Sequence, residues 1–157
     1  MTTLKDLVAD FLAQERIAVV GVSRSGDVAA NSIYKKLRDA GYQVYAVNPN
    51  ADEVEGDTCY PNLQAIPDGV DGVVIGTQPK VTEQIVRDCA ESGVSRVWIH
   101  RSFGQGSFSE AAVEYCQEHN ITVIPAGCPM MFCQPVDFGH KCMRWVLSLT
   151  GGLPKQV

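Results

Sequence analysis

The stretch that decides the fold reads RIAVVGVSRSGDVAANS and runs from Arg16 to Ser32. Its first part is a continuous apolar segment that predicts a buried strand, followed by the loop 21–26 and then by a helix. A strand that leads into a Gly/Ser loop at a helix start places free backbone N–H groups, and the positive end of a helix dipole, where a phosphate can sit. The stretch therefore predicts an α/β fold with an anion site after its first strand.

Apolar strands alternate with amphipathic helices outward from this loop. The predicted strands are Ile17–Val22, Gln43–Asn48, Gly72–Thr77, Arg96–His100 and Ile121–Ala126. The segment 51–69 is interpreted as a connection with one short helical turn near Leu63. A closing helix is marked by Cys142, Trp145, Val146 and Leu149 and is stopped by Gly151-Gly152. This alternation predicts a Rossmann-like, doubly wound parallel sheet of about five strands with helices on both faces, in one domain spanning 1–157.

The composition excludes some classes of partner. The chain has 13 Lys and Arg against 18 Asp and Glu, and the net charge of −5 opposes broad attraction to nucleic acid or to an anionic membrane. No apolar run approaches the roughly 20 residues of a membrane span, and the first 15 residues do not resemble a signal peptide. The six cysteines are irregularly spaced and match no zinc-ligand pattern. We therefore expect a cytoplasmic protein with reduced thiols and no metal site.

The residues that follow the predicted strands are the candidates for ligand contact. Ligands of doubly wound sheets bind outside the carboxyl ends of the strands, at the point where the strand order reverses. The segments just past the predicted strands are 21–26, 48–50, 77–79, 100–104 and 126–129.

The loop after the first strand matches neither common phosphate motif. Ser23 stands where G-x-G-x-x-G has its second glycine, and Asp27-Val28 replaces the Lys-Ser/Thr of a P-loop. The second strand ends in Asn48-Pro49-Asn50, without the acid that accepts hydrogen bonds from the ribose of NAD. A pocket without that carboxylate tolerates a phosphorylated ribose, which favours CoA or NADP. Compensating positive charge is available from Arg24, Lys35 or Lys36.

The joint order of four motifs resembles the CoA-binding domain family. These motifs are VVGVSRSGD, GYQVYAVNPN, DGVVIGTQP and AGCP, and the resemblance covers about Glu15 to Phe132. The family comprises stand-alone relatives of the amino-terminal domain of the succinyl-CoA synthetase alpha subunit. The resemblance implies a Rossmann-like domain that binds coenzyme A, with the diphosphate over the first loop. The phosphorylated histidine of the synthetase belongs to a second domain outside this sequence, so ligase activity is not implied.

Matching positions imply three groups of contacts with coenzyme A. The turn beneath the phosphates and the residues at them are Gly21, Val22, Ser23, Arg24 and Ser25. The phosphorylated ribose and the adenine are flanked by Asn48, Pro49, Asn50, Thr77, Gln78 and Pro79. The pantetheine arm is approached by His100, Arg101, Ser102, Cys128 and Pro129. In the synthetase a lysine follows the proline after the second strand, whereas this chain has Asn50 there.

No catalytic machinery assembles from the sequence, which has neither a Ser/His/Asp elbow nor a metal-ligand set. The favoured interpretation is a binding protein that holds CoA or an acyl-CoA for a protein partner that the sequence does not identify. The alternative is a small enzyme, either an NADP-linked oxidoreductase or an acyl-CoA transferase component that uses His100 or Cys128. Cys128 is also predicted to lie near the CoA thiol, within reach of a mixed disulfide. A candidate contact surface for a homo-oligomer comprises Met130, Met131, Phe132 and Phe138.

Overall fold

The computed structural model describes residues 2–154, so the outermost residues of the predicted domain 1–157 lie outside the described part. The strands are β1 (Arg16–Val20), β2 (Gln43–Val47), β3 (Glu53–Val54), β4 (Asp57–Tyr60), β5 (Gly72–Ile75), β6 (Arg96–Ile99) and β7 (Thr122–Ile124). The α-helices are α1 (Leu4–Leu12), α2 (Ala29–Asp39), α3 (Pro79–Glu91), α4 (Glu110–Glu118) and α5 (Phe138–Thr150). Two short 3-10 turns cover Leu63–Ala65 and Pro129–Met131.

The strands form one sheet in the order β3-β4-β2-β1-β5-β6-β7. All neighbouring strands pair in parallel except β3 and β4, which form an antiparallel hairpin. The chain runs outward from β1 in one direction through β2 and in the other through β5, so the strand order reverses between β1 and β5. The predicted fold class, a doubly wound Rossmann-like α/β sheet, is therefore confirmed.

The predicted strand count of about five is wrong, because the sheet has seven strands. The two additional strands lie within the segment 51–69 that was interpreted as a connection. They are only two and four residues long and contain few apolar residues, so no apolar run marks them. A two-residue turn joins them, in which Glu55 and Gly56 both have positive φ (54° and 80°), as tight hairpins require. The predicted helical turn near Leu63 is present.

The core lies on both faces of the sheet, because alternate residues of each strand point to opposite sides. Ile17 and Val19 of β1 face the side covered by α1 and α2, whereas Ala18 and Val20 face the side covered by α3 and α4. Trp98 of β6 is fully buried, and its indole Nε1 donates a hydrogen bond to the Ala126 carbonyl at 3.1 Å. Phe11 of α1 packs edge-to-face on Trp98, with ring centroids 5.4 Å apart. These contacts fix α1 and the segment after β7 on the sheet.

The predicted closing helix is present as α5. Leu147 is the one buried residue of this helix, whereas Trp145, Val146 and Leu149 are exposed. The predicted contact surface also changes, because Met131 is fully buried and Phe138 is largely exposed. The apolar residues of α5 are thus divided between an inward side with Leu147 and Met143 and an exposed side with Phe138, Trp145 and Leu149.

Candidate functional site

A cavity of about 460 Å³ opens at the carboxyl edge of the sheet, where the strand order reverses. Its walls come from the segments that follow β1, β2, β4 and β5, and from the exposed side of α3. In doubly wound sheets this is the position at which ligands bind. The cavity is therefore the candidate binding site.

Gly21 forms the floor of the turn after β1, where two segments of backbone approach each other closely. Its φ is +104°, and a Cβ built on it would lie 2.4 Å from the carbonyl oxygen of Gly76. Gly76 follows β5, and its own Cβ would lie 3.0 Å from Cβ of Ala30 in α2. Side chains at these positions would push the β1 loop and α2 away from the sheet, so glycine is required for this geometry.

The loop is fastened to α2 by Asn31, which is fully buried. The Oδ1 atom of Asn31 accepts a hydrogen bond from the backbone N–H of Ser23 at 2.7 Å, and Nδ2 donates to the Ser23 carbonyl at 2.8 Å. Nδ2 also donates to Oε1 of Glu55 at 2.9 Å, so the β3–β4 hairpin is held to the same side chain. The N–H of Ser23 is thus used within the protein, while its hydroxyl faces Ser25 at 2.9 Å.

The amino-terminal end of α2 is open toward the loop. Its N-cap residue, Val28, makes no side-chain capping hydrogen bond. The first N–H groups of an uncapped helix carry a partial positive charge that attracts anions. Arg24 is exposed in the same loop, and no hydrogen bond or ion pair engages its side chain within residues 2–154. The loop therefore presents backbone donors and one free guanidinium.

Three cationic side chains of α2 already have partners. Lys35 lies 3.8 Å from Glu55, and Lys36 donates a hydrogen bond to the Pro135 carbonyl on another side of the molecule. Arg38 is paired with Asp57 at 2.7 Å. Of the three cations predicted to be available to a ribose phosphate, Arg24 and Lys35 lie close to the loop, whereas Lys36 is hydrogen-bonded to Pro135.

Asn48, after β2, has a structural role that explains why no acid stands there. Its Nδ2 donates to the Val22 carbonyl at 2.7 Å, and its Oδ1 accepts from the N–H of Asn50 at 2.7 Å. A carboxylate at position 48 would lose the bond to Val22. The cavity wall at the end of β2 is consequently uncharged, although Asp88 of α3 lines another part of the cavity.

The structure brings six of the predicted site residues together around the cavity: Gly21, Val22, Ser23, Asn48, Pro49 and Thr77. Arg24, Ser25, Asn50, Gln78 and Pro79 belong to the same loops but do not line it. Arg101 and Ser102 line a separate cavity of about 320 Å³ with Phe103 and the end of α5. His100 directly precedes them, and Cys128 and Pro129 are buried beyond β7.

Burial controls the chemistry of His100 and Cys128. Burial raises the pKa of the Cys128 thiol to about 11, so the reactive thiolate is scarce at neutral pH. Burial, with a smaller contribution from the charge of His140, lowers the pKa of His100 and keeps it neutral at pH 7. The Nε2 atom of His100 lies 3.5 Å from Oγ of Ser102, a distance too long for a firm hydrogen bond. His100 and Ser102 therefore do not form a tightly hydrogen-bonded pair that would activate the serine.

Sequence reasoning missed the lining residues that lie outside the predicted strand ends. Pro61, Asn62 and Leu63 line the cavity because they follow β4, a strand that the sequence did not reveal. Val81 and Ile85 of α3 also line the cavity, while Val86 and Cys89 of the same helix are buried in the core. The signal that could have located them is the proline pair Pro49 and Pro61, which bracket the hairpin.

Within residues 2–154, no three His, Cys, Asp or Glu side chains come close enough to share a metal ion. None of the helices in this part of the chain is long and apolar enough to cross a bilayer.

Comparison with protein families identifies a match along most of the chain. The CoA binding domain family matches residues 15–134. A protein of Bacillus subtilis named YneT, described as uncharacterized, is 30% identical over 110 residues, which cover 70% of this chain and 78% of that protein. Acetate–CoA ligase [ADP-forming] II of Archaeoglobus fulgidus is 29% identical over 129 residues, or 77% of this chain. This chain spans only 19% of the length of that ligase.

Solved structures with the same architecture include two proteins from Pyrococcus species. A hypothetical protein from Pyrococcus horikoshii has a TM-score of 0.74 and 30% identity, covering 82% of this chain and 88% of its own. A conserved hypothetical protein from Pyrococcus furiosus has a TM-score of 0.63 and 32% identity, covering 69% of this chain and 90% of its own.

Proposed function

Because this chain belongs to the CoA binding domain family, we propose that it binds coenzyme A or an acyl-CoA at the carboxyl edge of its sheet. The observation that carries the proposal is the cavity at the strand-order reversal, bordered by the loop after β1 and the uncharged end of β2. The adenosine occupies this cavity, and the diphosphate lies over the loop at the open end of α2.

The distribution of charge at the edge supports a ligand with several phosphates. Arg24 has no partner among the described residues, and Lys35 is held only at 3.8 Å by Glu55. The free guanidinium of Arg24 binds the diphosphate, and Lys35 is the nearest cation for a ribose phosphate. The absence of an acid at position 48 removes the group that would repel that phosphate.

The loop geometry leaves specific groups for the ligand. Since the N–H of Ser23 is committed to Asn31, the donors that meet the phosphates are the free N–H groups at the start of α2 and the Ser23 and Ser25 hydroxyls. The rigid Asn31 contact holds these donors in place before the ligand arrives, which lowers the entropic cost of binding. The pantetheine arm continues toward His100, Arg101, Ser102, Cys128 and Pro129.

In this proposal the described chain binds CoA, and no ligase activity is carried over to it from its relatives. The named relatives include acetate–CoA ligases, but this chain spans only 19% of the length of the Archaeoglobus fulgidus enzyme. The high pKa of Cys128 and the neutral, loosely bonded His100 offer no nucleophile for an acyl-CoA transferase. An NADP-linked oxidoreductase is the remaining alternative, and ligand preference separates it from a CoA-binding protein.

Thermal unfolding with matched ligands tests the proposal. A ligand at about a hundred times its Kd adds about 2.7 kcal/mol of stability, which raises the Tm of a protein of this size by roughly 5–10 °C. We expect this increase with CoA, a smaller one with dephospho-CoA, which lacks the ribose phosphate, and none with NADPH. A response to NADPH alone would overturn the proposal. An equal increase in Tm with CoA and with dephospho-CoA would show that the ribose phosphate does not contribute to binding.

A charge placed in the loop tests the position of the diphosphate. Ser23→Asp brings a carboxylate against the phosphates, and we expect CoA affinity to fall at least about tenfold, or 1.4 kcal/mol. The matched control is Ser95→Asp, which adds the same charge at the opposite, amino-terminal edge of the sheet before β6. Unchanged CoA binding by Ser23→Asp would show that the phosphates lie elsewhere.

A further inference from the structure

The exposed face of α5 carries most of the large apolar surface of the described chain. Four of the seven exposed large apolar side chains in residues 2–154 belong to this helix: Phe138, Trp145, Val146 and Leu149. Phe138 is 82% exposed, Trp145 65% and Leu149 68%. A helix normally turns such residues toward the core, but in α5 only Leu147 is buried, and Met143 is partly buried against the core.

The spacing of these residues defines a narrow stripe along α5. Phe138, Cys142, Trp145 and Leu149 are separated by four, three and four residues, which is the a/d spacing of a helix–helix seam. At about 100° per residue the four side chains fall within roughly 60° of one another, directly opposite Leu147. We call these four residues the α5 stripe.

We propose that the α5 stripe is a homodimer interface, in which α5 packs antiparallel against α5 of a second copy of this chain. An a/d stripe is complementary to itself when a two-fold axis crosses the helix at its centre. This arrangement places Phe138 against Leu149 of the second copy and Cys142 against Trp145. Each residue of the α5 stripe in one copy is therefore covered by a residue of the α5 stripe in the other copy.

The area of the stripe and its surroundings agrees with a dimer. At about 150–250 Å² for a fully exposed aromatic side chain, the stripe and Val146 expose roughly 500 Å² of apolar side chain. Two copies would bury roughly 1,000 Å², the lower limit for a specific interface. The antiparallel register places Lys141 beside Ser148 of the second copy rather than beside another lysine, so no like charges meet.

Mass measurements on the full chain test the dimer. By sedimentation or light scattering at micromolar concentration we expect twice the 17.1 kDa of one chain. Trp145→Glu should give a monomer, because it places two carboxylates in the centre of the seam. Trp145 is exposed, so the variant should fold, and unchanged far-UV circular dichroism verifies this. The control Val81→Glu, which adds a carboxylate at an exposed apolar residue of α3, should remain a dimer.

Crosslinking through Cys142 tests the register. All six cysteines lie in the described part of the chain, and Cys142 alone is exposed. In the antiparallel seam the Cα atoms of the two Cys142 residues lie roughly 10 Å apart, from the helical rise and an interaxial distance of 8–10 Å. This separation is too long for a direct disulfide but short enough for a bismaleimide. We expect crosslinked dimer from the native chain and none from Cys142→Ser or Trp145→Glu.

Three outcomes overturn the proposal. If the native chain is monomeric at all concentrations, the α5 stripe is not a homodimer interface. A dimer that persists in Trp145→Glu has its interface elsewhere, and a larger assembly shows contacts that a two-fold seam does not provide.

Discussion

The side-chain amide of Asn31 binds both backbone polar groups of Ser23, accepting from its N–H at 2.7 Å and donating to its carbonyl at 2.8 Å. Asn31 lies in the first turn of α2 and is fully buried, whereas Ser23 lies in the loop after β1. The same amide reaches Glu55 of the β3–β4 hairpin at 2.9 Å. One buried side chain thus couples the loop, the helix and the hairpin that surround the candidate site.

Asn31→Asp tests this coupling with almost no change in shape. The substitution keeps an acceptor for the N–H of Ser23, removes the donor to the Ser23 carbonyl and sets a carboxylate against Glu55. We expect a loss of about 2–3 kcal/mol in the free energy of unfolding, because a buried acceptor loses its partner. Urea unfolding measures the loss.

Two further variants identify the cause of that loss. Adding Glu55→Gln to Asn31→Asp removes the facing charge and restores a donor, so part of the lost stability should return. Asn62→Asp makes the same chemical change at the N-cap of the 3-10 turn, where aspartate caps as well as asparagine, and should change stability little. Equal losses at positions 31 and 62 would contradict the structural role of Asn31.

The sequence predicts the parallel sheet well because apolar runs such as Gly72–Ile75 report burial directly. It does not predict β3 and β4, because strands of two and four residues gain their stability from pairing rather than from an apolar run. The role of Asn31 is equally invisible, since asparagine in a first helical turn is ordinary and its partners lie 8 and 24 residues away. Apolar residues also mark α5 correctly, but they do not reveal that Trp145 and Leu149 face solvent.

Alanine at Gly21 tests the close approach beneath the loop. The new Cβ would lie 2.4 Å from the Gly76 carbonyl oxygen, in addition to the strain of a positive φ. We expect a loss of at least about 3 kcal/mol, or failure to accumulate as folded protein, because the backbone must shift. Thermal unfolding measures the difference in stability between Gly21→Ala and the native chain.

Gly41→Ala is the matched control, since Gly41 has a similar φ of +96° but no atom within 4 Å of the added Cβ. The free energy of unfolding of Gly41→Ala should fall by only about 1–2 kcal/mol, the cost of a positive φ in alanine. If Gly21→Ala and Gly41→Ala were destabilised equally, the contact between Gly21 and Gly76 would have no energetic importance.

Tyr34→Phe tests the attachment of the hairpin to α2. Tyr34 is 2% exposed, and its hydroxyl donates to Oδ2 of Asp57 at 2.7 Å. This hydrogen bond, followed by that of Arg38, lowers the pKa of Asp57. Because Asp57 is partly exposed, we expect Tyr34→Phe to lose only about 1 kcal/mol at neutral pH.

The pH dependence of that loss gives a second readout. A carboxylate with a lowered pKa stabilises the fold above its ordinary pKa, and this stability disappears as pH falls through the lowered value. The difference in the free energy of unfolding between the native chain and Tyr34→Phe should therefore become smaller once the pH is below the lowered pKa of Asp57. The control Tyr60→Phe removes a hydroxyl that binds no protein group within residues 2–154 and should show little difference at any pH. A pH-independent loss in Tyr34→Phe would exclude Asp57 as its cause.

His100 should make the protein less stable in mildly acidic solution. Burial lowers the pKa of its imidazole below the value of 6.5 that it has when exposed. Between these two pKa values the unfolded chain binds a proton that the folded protein does not, so stability falls as pH decreases from about 6.5 toward the lowered value. His100→Gln, which keeps a polar side chain without a titrating ring, should show a smaller decrease in Tm from neutral pH to about pH 5. His119→Gln removes an exposed imidazole and should retain the decrease of the native chain. If His100→Gln and the native chain lost stability equally across this range, another group would carry the acid sensitivity.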